Sequence, residues 1–381
     1  MRPSRRPLVV FFVVVALLLL AHFIEQREDG RVAAPAPVFA DAPHTEAAAP
    51  PQAEFSAAEL RSALTEVCST NDRESVDENW TQEEIRAQVD AFNELKRSLS
   101  DSLSESAVAE HLHVAALFEH DSVRRVEFLE KAISSSQSDP FLVWSAVRMC
   151  SDSAVSLDCP VDDWEQRLIA VDGQNSETWV RIAANDYAAG EIDAALEAMQ
   201  HAATSAETRI YWTESVEMIE RGLAAAGGRY PFSERAGMAF GFAATLLPAY
   251  GDYTRMCVEQ APRSAEWAYT CLGYGELAEN QSKTEIGVSI GRSMQKIALE
   301  ALGETDKAAD VEQQLQRRRQ DRLNADIDHT PLIERLMVSN PTMFSAFLAA
   351  TRSMGEQAAR LKITADIERL IRQQPDLACR K

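Results

Sequence analysis

The sequence predicts an all-α protein, and three observations carry that expectation. From about residue 54 onward, apolar residues recur at i, i+3 and i+4, the spacing that puts them on one face of a helix. Alternating β-branched runs of the kind that make strands are absent outside the N-terminal segment. Serine or threonine followed three places later by glutamate, the capping box that opens helices, punctuates the chain.

The first 28 residues read differently from the rest. Arg2, Arg5 and Arg6 precede Leu8–Ile24, 17 residues broken only by His22. Such a run is either a removable signal peptide or a spanning helix. The best small-residue cleavage site, Val38-Phe39-Ala40, lies 16 residues past the apolar end, which favours an uncleaved anchor. Arginines on the N-terminal side hold that end in the cytoplasm and place everything after Ile24 outside. The expected topology is single-pass, with the C-terminal region on the extracytoplasmic side. Residues 29–53 follow as a spacer, with Pro35, Pro37, Pro43, Pro50 and Pro51 among alanines, a composition that buries no core.

Helices then follow in order. Ser56-Ala57-Ala58-Glu59 opens one with Leu60, Leu64 and Val67 on its stripe, and Thr81-Gln82-Glu83-Glu84 opens another with Ile85, Val89, Phe92 and Leu99. Ser104 to Ser134 gives two helices split near His120-Asp121, and Asp139-Pro140 caps the one that carries Phe141, Trp144 and Val147. Ser176–Thr204 is the clearest stretch. Trp179, Ile182 and Ala183 share a face of a first helix, Tyr187 closes it, and Gly190 can take the positive φ that stops it. Ile192, Ala195, Leu196, Met199 and Ala202 form the stripe of a second helix, with alanines where two helices approach closely. Tyr211 and Trp212 open the next.

Beyond Gly228 the helices continue without a clear period. Ser233 caps one that Pro248 ends, Ser264 caps one carrying Trp267 and Cys271, and Ser282-Lys283-Thr284-Glu285 reads as a third capping box. Thr305 starts a long polar helix, and Asn340-Pro341 and Gly355 start the last two. The resulting organisation is a cytoplasmic tip and anchor over 1–28, a linker over 29–53, helical repeats over 54–228 and a C-terminal helical region over 229–381.

Ser176–Thr204 resembles the tetratricopeptide repeat, through Trp179, Ile182, Ala183, Tyr187, Gly190, Ala195, Met199 and Ala202. Ala183 stands where the family has glycine, Met199 where it has an aromatic, and the closing proline is missing. Trp144 lies 35 residues before Trp179 and Trp212 lies 33 after it, near the ~34-residue period of the family. The resemblance implies an α-solenoid of helical hairpins in which these tryptophans are core. It also implies that polar side chains of the inner helix, here Arg148, Arg181 and Asn185, face a groove that grips a protein or peptide partner. Similar single-span repeat proteins in bacterial envelopes assist assembly, secretion or folding, and the resemblance implies the bacterial inner membrane, single-pass, with the C-terminal region in the periplasm.

The balance of 38 Lys+Arg against 59 Asp+Glu, a net charge of −21, disfavours nucleic acid as a partner. The basic run Arg317-Arg318-Arg319 sits in a Gln- and Glu-rich helix and reads as a solvated face. An exported topology suits disulfides, and two close pairings suggest themselves, Cys150 with Cys159 and Cys257 with Cys271. Buried free thiols are the alternative, and Cys68 and Cys379 either pair or stay free. No cysteine or histidine spacing is of the metal type. His111 and His113 point to nearly opposite sides of a helix, and with His120 they read as surface or groove residues. Nucleophile elbows and phosphate loops are also missing, so neither an enzyme nor a cofactor is expected. The competing reading is an enzyme or small-ligand binder with its site in the C-terminal half.

Overall fold

The computed structural model describes residues 58, 61, 62, 64, 81–136, 138–150, 159–227, 230–326 and 330–373. The expected membrane anchor, the spacer, the capping residues Ser56 and Glu59, and Cys68 and Cys379 lie outside them. The described chain is all-helical, and its one β contact is an isolated bridge between Asn175 and Glu207. Among the described residues no helix is long and apolar enough to cross a membrane.

The chain divides into two compact units, each assembled from separated segments. In the first, α1 (Gln82–Leu103), α2 (Ala109–Phe118), α3 (Ser122–Ser135) and α4 (Pro140–Cys150) follow one another, and each packs against the next. The start of α5 (Val161–Asp172), most of α8 (Trp212–Ala225) and all of α9 (Phe232–Thr245) complete it. Local chemistry sets these boundaries. Asp121 caps α3 by accepting from the amides of Val123 and Arg124, and Asp139 accepts from Phe141 and Leu142 at the start of α4. Phe242 of α9 meets the edge of Phe118 at a ring separation of 4.6 Å and stacks on Phe92 at 5.8 Å. Gly222 permits α8 to approach Val114, whose side-chain carbons would stand 2.8 Å from an added Cβ.

The second unit holds the rest of α5, then α6 (Ser176–Ala189), α7 (Ile192–Ala203), α10 (Tyr250–Gln260), α11 (Ala265–Gln281), α12 (Glu285–Ala301), α13 (Thr305–Asp326), α14 (Thr330–Ser339), α15 (Pro341–Met354) and α16 (Glu356–Gln373). Neighbouring helices again pair: α6 with α7, α11 with α12, α12 with α13, α15 with α16. Longer-range packing adds α7 against α11 and α6 against α10. One apolar cluster runs through these elements, from Val180, Ala183, Ala195 and Met199 to Tyr253, Met256, Trp267, Met294 and Ala298. Here α11 and α12 touch backbone to backbone. A Cβ on Gly275 would lie 2.7 Å from the Gly291 carbonyl oxygen, and Gln295 donates across the contact to the Gly275 oxygen and to Glu279.

Two capping expectations need correction. Thr284 caps α12 by accepting from Gly287, while Ser282 closes α11, because the break between the helices falls two residues later than a box at Ser282 requires. Similarly, α9 begins at Phe232 after Pro231, so Ser233 lies inside its first turn and is no cap.

Both expected disulfides form. Cys150–Cys159 ties the end of α4 to the residues before α5, and Cys257–Cys271 joins α10 to α11 with both sulfurs in the core. Neither pairing crosses between the units.

Candidate functional site

The helical hairpin α6–α7 is built as its sequence suggests. Asn175 caps α6 by accepting from Glu177, and Gly190 ends it at φ 88°, donating its amide to Asp186 and Tyr187 oxygens. Ala195, Ala198, Met199 and Ala202 of α7 are buried against Val180 and Ala183. Trp144, in the first unit, is fully buried.

Trp179 packs against the core cluster of the hairpin, with Ile182 and Tyr187, but it is not fully enclosed. It is half-buried, its indole N–H donating to the Gly173 oxygen at 2.8 Å and its ring stacked on His201 at 4.3 Å. Ile182, Tyr187 and Trp212 are half-buried too, and the Tyr187 hydroxyl donates to Glu259 on α10. Beside Val180 and Ala183, the buried side of the helix also carries charge. Glu177 is 1% exposed and Arg181 is 4% exposed, one turn apart.

The three residues expected to grip a partner have different surroundings, each described within its own unit. Arg148, half-buried at the end of α4, belongs to the first unit. Asn185 is half-buried in the second, donating to Glu165 at 2.5 Å. Arg181 lies in the core beside Glu177 and the α10 hydroxyl of Tyr250. It lines no open face, because α10 packs directly on α6.

A buried polar group lies at this point. Glu177 accepts from the Tyr274 hydroxyl of α11 at 2.7 Å. Burial pushes its carboxyl up to about 7, although the Tyr274 hydrogen bond, the Arg181 charge and its place in the first turn of a helix all favour the ion. Tyr250 and Tyr274 are raised well above their ordinary values, first by burial and then by the Glu177 charge.

A second knot lies just before α6. Asp172 accepts from Asn175 at 2.9 Å, Thr178 at 2.8 Å and the Tyr211 hydroxyl at 2.8 Å. Asn175 in turn takes the Arg209 amide and donates to the Arg209 oxygen, while Ser176 meets Thr208. Burial raises the Asp172 carboxyl, and its three donors offset part of that rise. Tyr211 pays for its place with φ 52°, a left-handed conformation that the network around it holds. The knot clamps the 204–211 connection onto the entry of α6.

Sequence reasoning missed both groups. The available signals were the i, i+4 pair Glu177/Arg181 on an otherwise apolar face and the Asp172-x-x-Asn175 spacing at a helix junction. A further correction falls in the first unit, where His113 is fully buried, not at the surface. Its Nε2 meets the Ser145 hydroxyl at 2.7 Å, and burial pushes the imidazole down to about 3, so it is neutral. Among the described residues no group of three or more His, Cys, Asp or Glu could hold a metal ion.

Comparison of the chain with family models, with curated proteins and with solved structures finds no match.

Proposed function

We propose that this chain is a membrane-tethered, extracytoplasmic helical-repeat scaffold of tetratricopeptide-like type, which binds a protein or peptide partner in envelope assembly, secretion or folding. The observation that carries the reading is the α6–α7 hairpin, with its left-handed glycine turn and alanine-lined seam, set in a body of consecutive helix pairs. Two disulfides support an oxidising compartment, and the arginines ahead of the Leu8–Ile24 run support an anchor oriented with the rest of the chain outside. The charge of −21 suits a partner with basic surface. Of the residues expected at the partner contact, Arg148 and Asn185 are partly accessible and Arg181 is not.

The test is crosslinking in intact membranes with the full chain, followed by purification through a C-terminal tag. The reading expects one stoichiometric envelope protein, protected from protease on the cytoplasmic side, whose yield falls when Asn185 or Arg148 is changed to alanine. Recovery of the chain alone, or its digestion by protease added to the cytoplasmic face, would refute it.

A further inference from the structure

We infer that the exposed start of α1 pairs antiparallel with the same stretch of a second copy of this chain. Ile85, Val89, Phe92, Lys96, Leu99 and Leu103 fall within an arc of about 80° on α1, at about 100° per residue, and form one stripe along it. The stripe is covered at only one end. Leu99 and Leu103 are buried, and Phe92 stacks on Phe242 of α9 at 5.8 Å, with the Lys96 ammonium over its ring. By contrast, Ile85 is 43% exposed and Val89 52%. Helix length explains the difference. Helix α1 has 22 residues, about 33 Å, against 10 in α2, about 15 Å. Glu119, the residue after α2, accepts from Ser100, so α2 ends beside the last turn of α1 and does not reach its start.

Charge selects the occupant. Glu83, Arg86, Glu94 and Arg97, all exposed, lie along one flank of the stripe. Their signs invert about Asp90: Glu83 stands seven residues before it and Arg97 seven after, Arg86 four before and Glu94 four after. An isologous antiparallel pair brings the same flank of both copies together with the sequence reversed, so Glu83 meets Arg97 and Arg86 meets Glu94, each twice. Asp90 falls at the two-fold axis as the one like-charged contact, exposed to solvent that screens it. A parallel pair would set the charged flank beside the opposite one, where Ala91 and Leu95 lie, and would form none of these contacts. In the antiparallel pair the two Val89 side chains close on each other near the axis, which removes exposed apolar surface from water. Past Phe92, where α9 takes the stripe, the contact passes to the charged flank.

Sedimentation of the full chain in detergent micelles tests this. Concentration-dependent dimers are expected, and a chain still monomeric at about 1 mM, the bottom of the affinity scale, overturns the inference. Val89→Glu puts a charge near the axis, on a residue outside the core, and should abolish the dimer while leaving the denaturation midpoint in place. Dimers that survive Val89→Glu, held by the Leu8–Ile24 run or by any other surface, overturn it as well. The sign pattern has its own test. Glu83→Lys with Arg86→Glu leaves the net charge of the chain unchanged and should weaken dimerisation about tenfold, since four surface ion pairs become four repulsions. Adding Glu94→Arg and Arg97→Glu reverses the other half of the flank, keeps the Glu94–Arg97 ion pair with its signs exchanged, and should restore the wild-type dimer. Dimerisation that ignores the first exchange, or that the second fails to restore, overturns the antiparallel pairing.

Discussion

Glu177→Gln should make the protein more stable at alkaline pH and leave it nearly unchanged at acid pH. The folded carboxyl sits at about 7 against an ordinary value of 4.5, with burial as the main cause. A raised carboxyl means that the folded state holds a proton that the unfolded state releases. The stability tied to this group is therefore complete below about pH 4.5 and is lost as pH rises through about 7. The interval from 4.5 to about 7, at ~1.4 kcal/mol for each tenfold change in proton affinity, sets a loss of about 3 kcal/mol. Water reaching the site would lower that figure. Glutamine mimics the protonated acid, keeping an oxygen to accept from Tyr274 while carrying no charge to desolvate.

Urea unfolding followed by circular dichroism at about pH 5 and about pH 8 gives the comparison. Asp172, Asp186 and Glu276 are also raised by burial and slope the same way, so the wild type alone is not diagnostic. The difference between variant and wild type isolates Glu177. It should be near zero at the acid end and approach about 3 kcal/mol in favour of the variant at the alkaline end. Parallel pH profiles would refute the reasoning, and so would a variant that is less stable at every pH. The latter would mean that the Glu177–Arg181 charge pair outweighs desolvation.

Gly275→Ala should destabilise by ~1–3 kcal/mol or more, since its Cβ would press on the Gly291 oxygen and the Gln295 backbone, which cannot rotate away; thermal unfolding reads the loss. Trp179→Ala should cost about 2 kcal/mol, less than the ~3–5 of a fully buried ring, with amide exchange rising around the hairpin first. Under mild native reduction the Cys150–Cys159 bond should open before Cys257–Cys271, because Cys159 is half-exposed while Cys257 and Cys271 are fully buried; alkylation with peptide mapping shows the order. Mass spectrometry of purified protein should find the Leu8–Ile24 run retained, whereas a mature N-terminus at Asp41 would identify a removed signal peptide.

Helices and their pairing were legible because local rules govern them. Asp139, Ser264 and Asn340, each read as a helix start from its short-range signal, are caps that the folded chain uses. The disulfides were legible because each closes a short loop between consecutive helices. What could not be read was which helices meet across long sequence separations. Glu177 and Tyr274 stand 97 residues apart, and Asp172 and Tyr211 stand 39 apart. Arg181, which the resemblance placed on a partner-gripping groove, is instead covered together with Glu177 by α10 and α11. For the same reason the spacing of Trp179 places it on the core but does not show how much of its ring stays uncovered.

Helix geometry explains how both groups can pack inward. Successive residues advance about 100° around α6, so Ala183, Val180, Glu177, Arg181 and Thr178 span a continuous arc of about 220°, and all five are buried. Val180 and Ala183 at one side of the arc meet α7, while Glu177 near its middle meets α11. An arc this wide exceeds the stripe that a two-helix hairpin can cover, so a third and fourth helix must close it, as α10 and α11 do. Trp179, Ile182 and Asp186 occupy the remaining arc and are all half-buried. Trp179 and Ile182 still pack against the same core cluster, so α6 grades from an enclosed side to a half-covered one and has no bare apolar face.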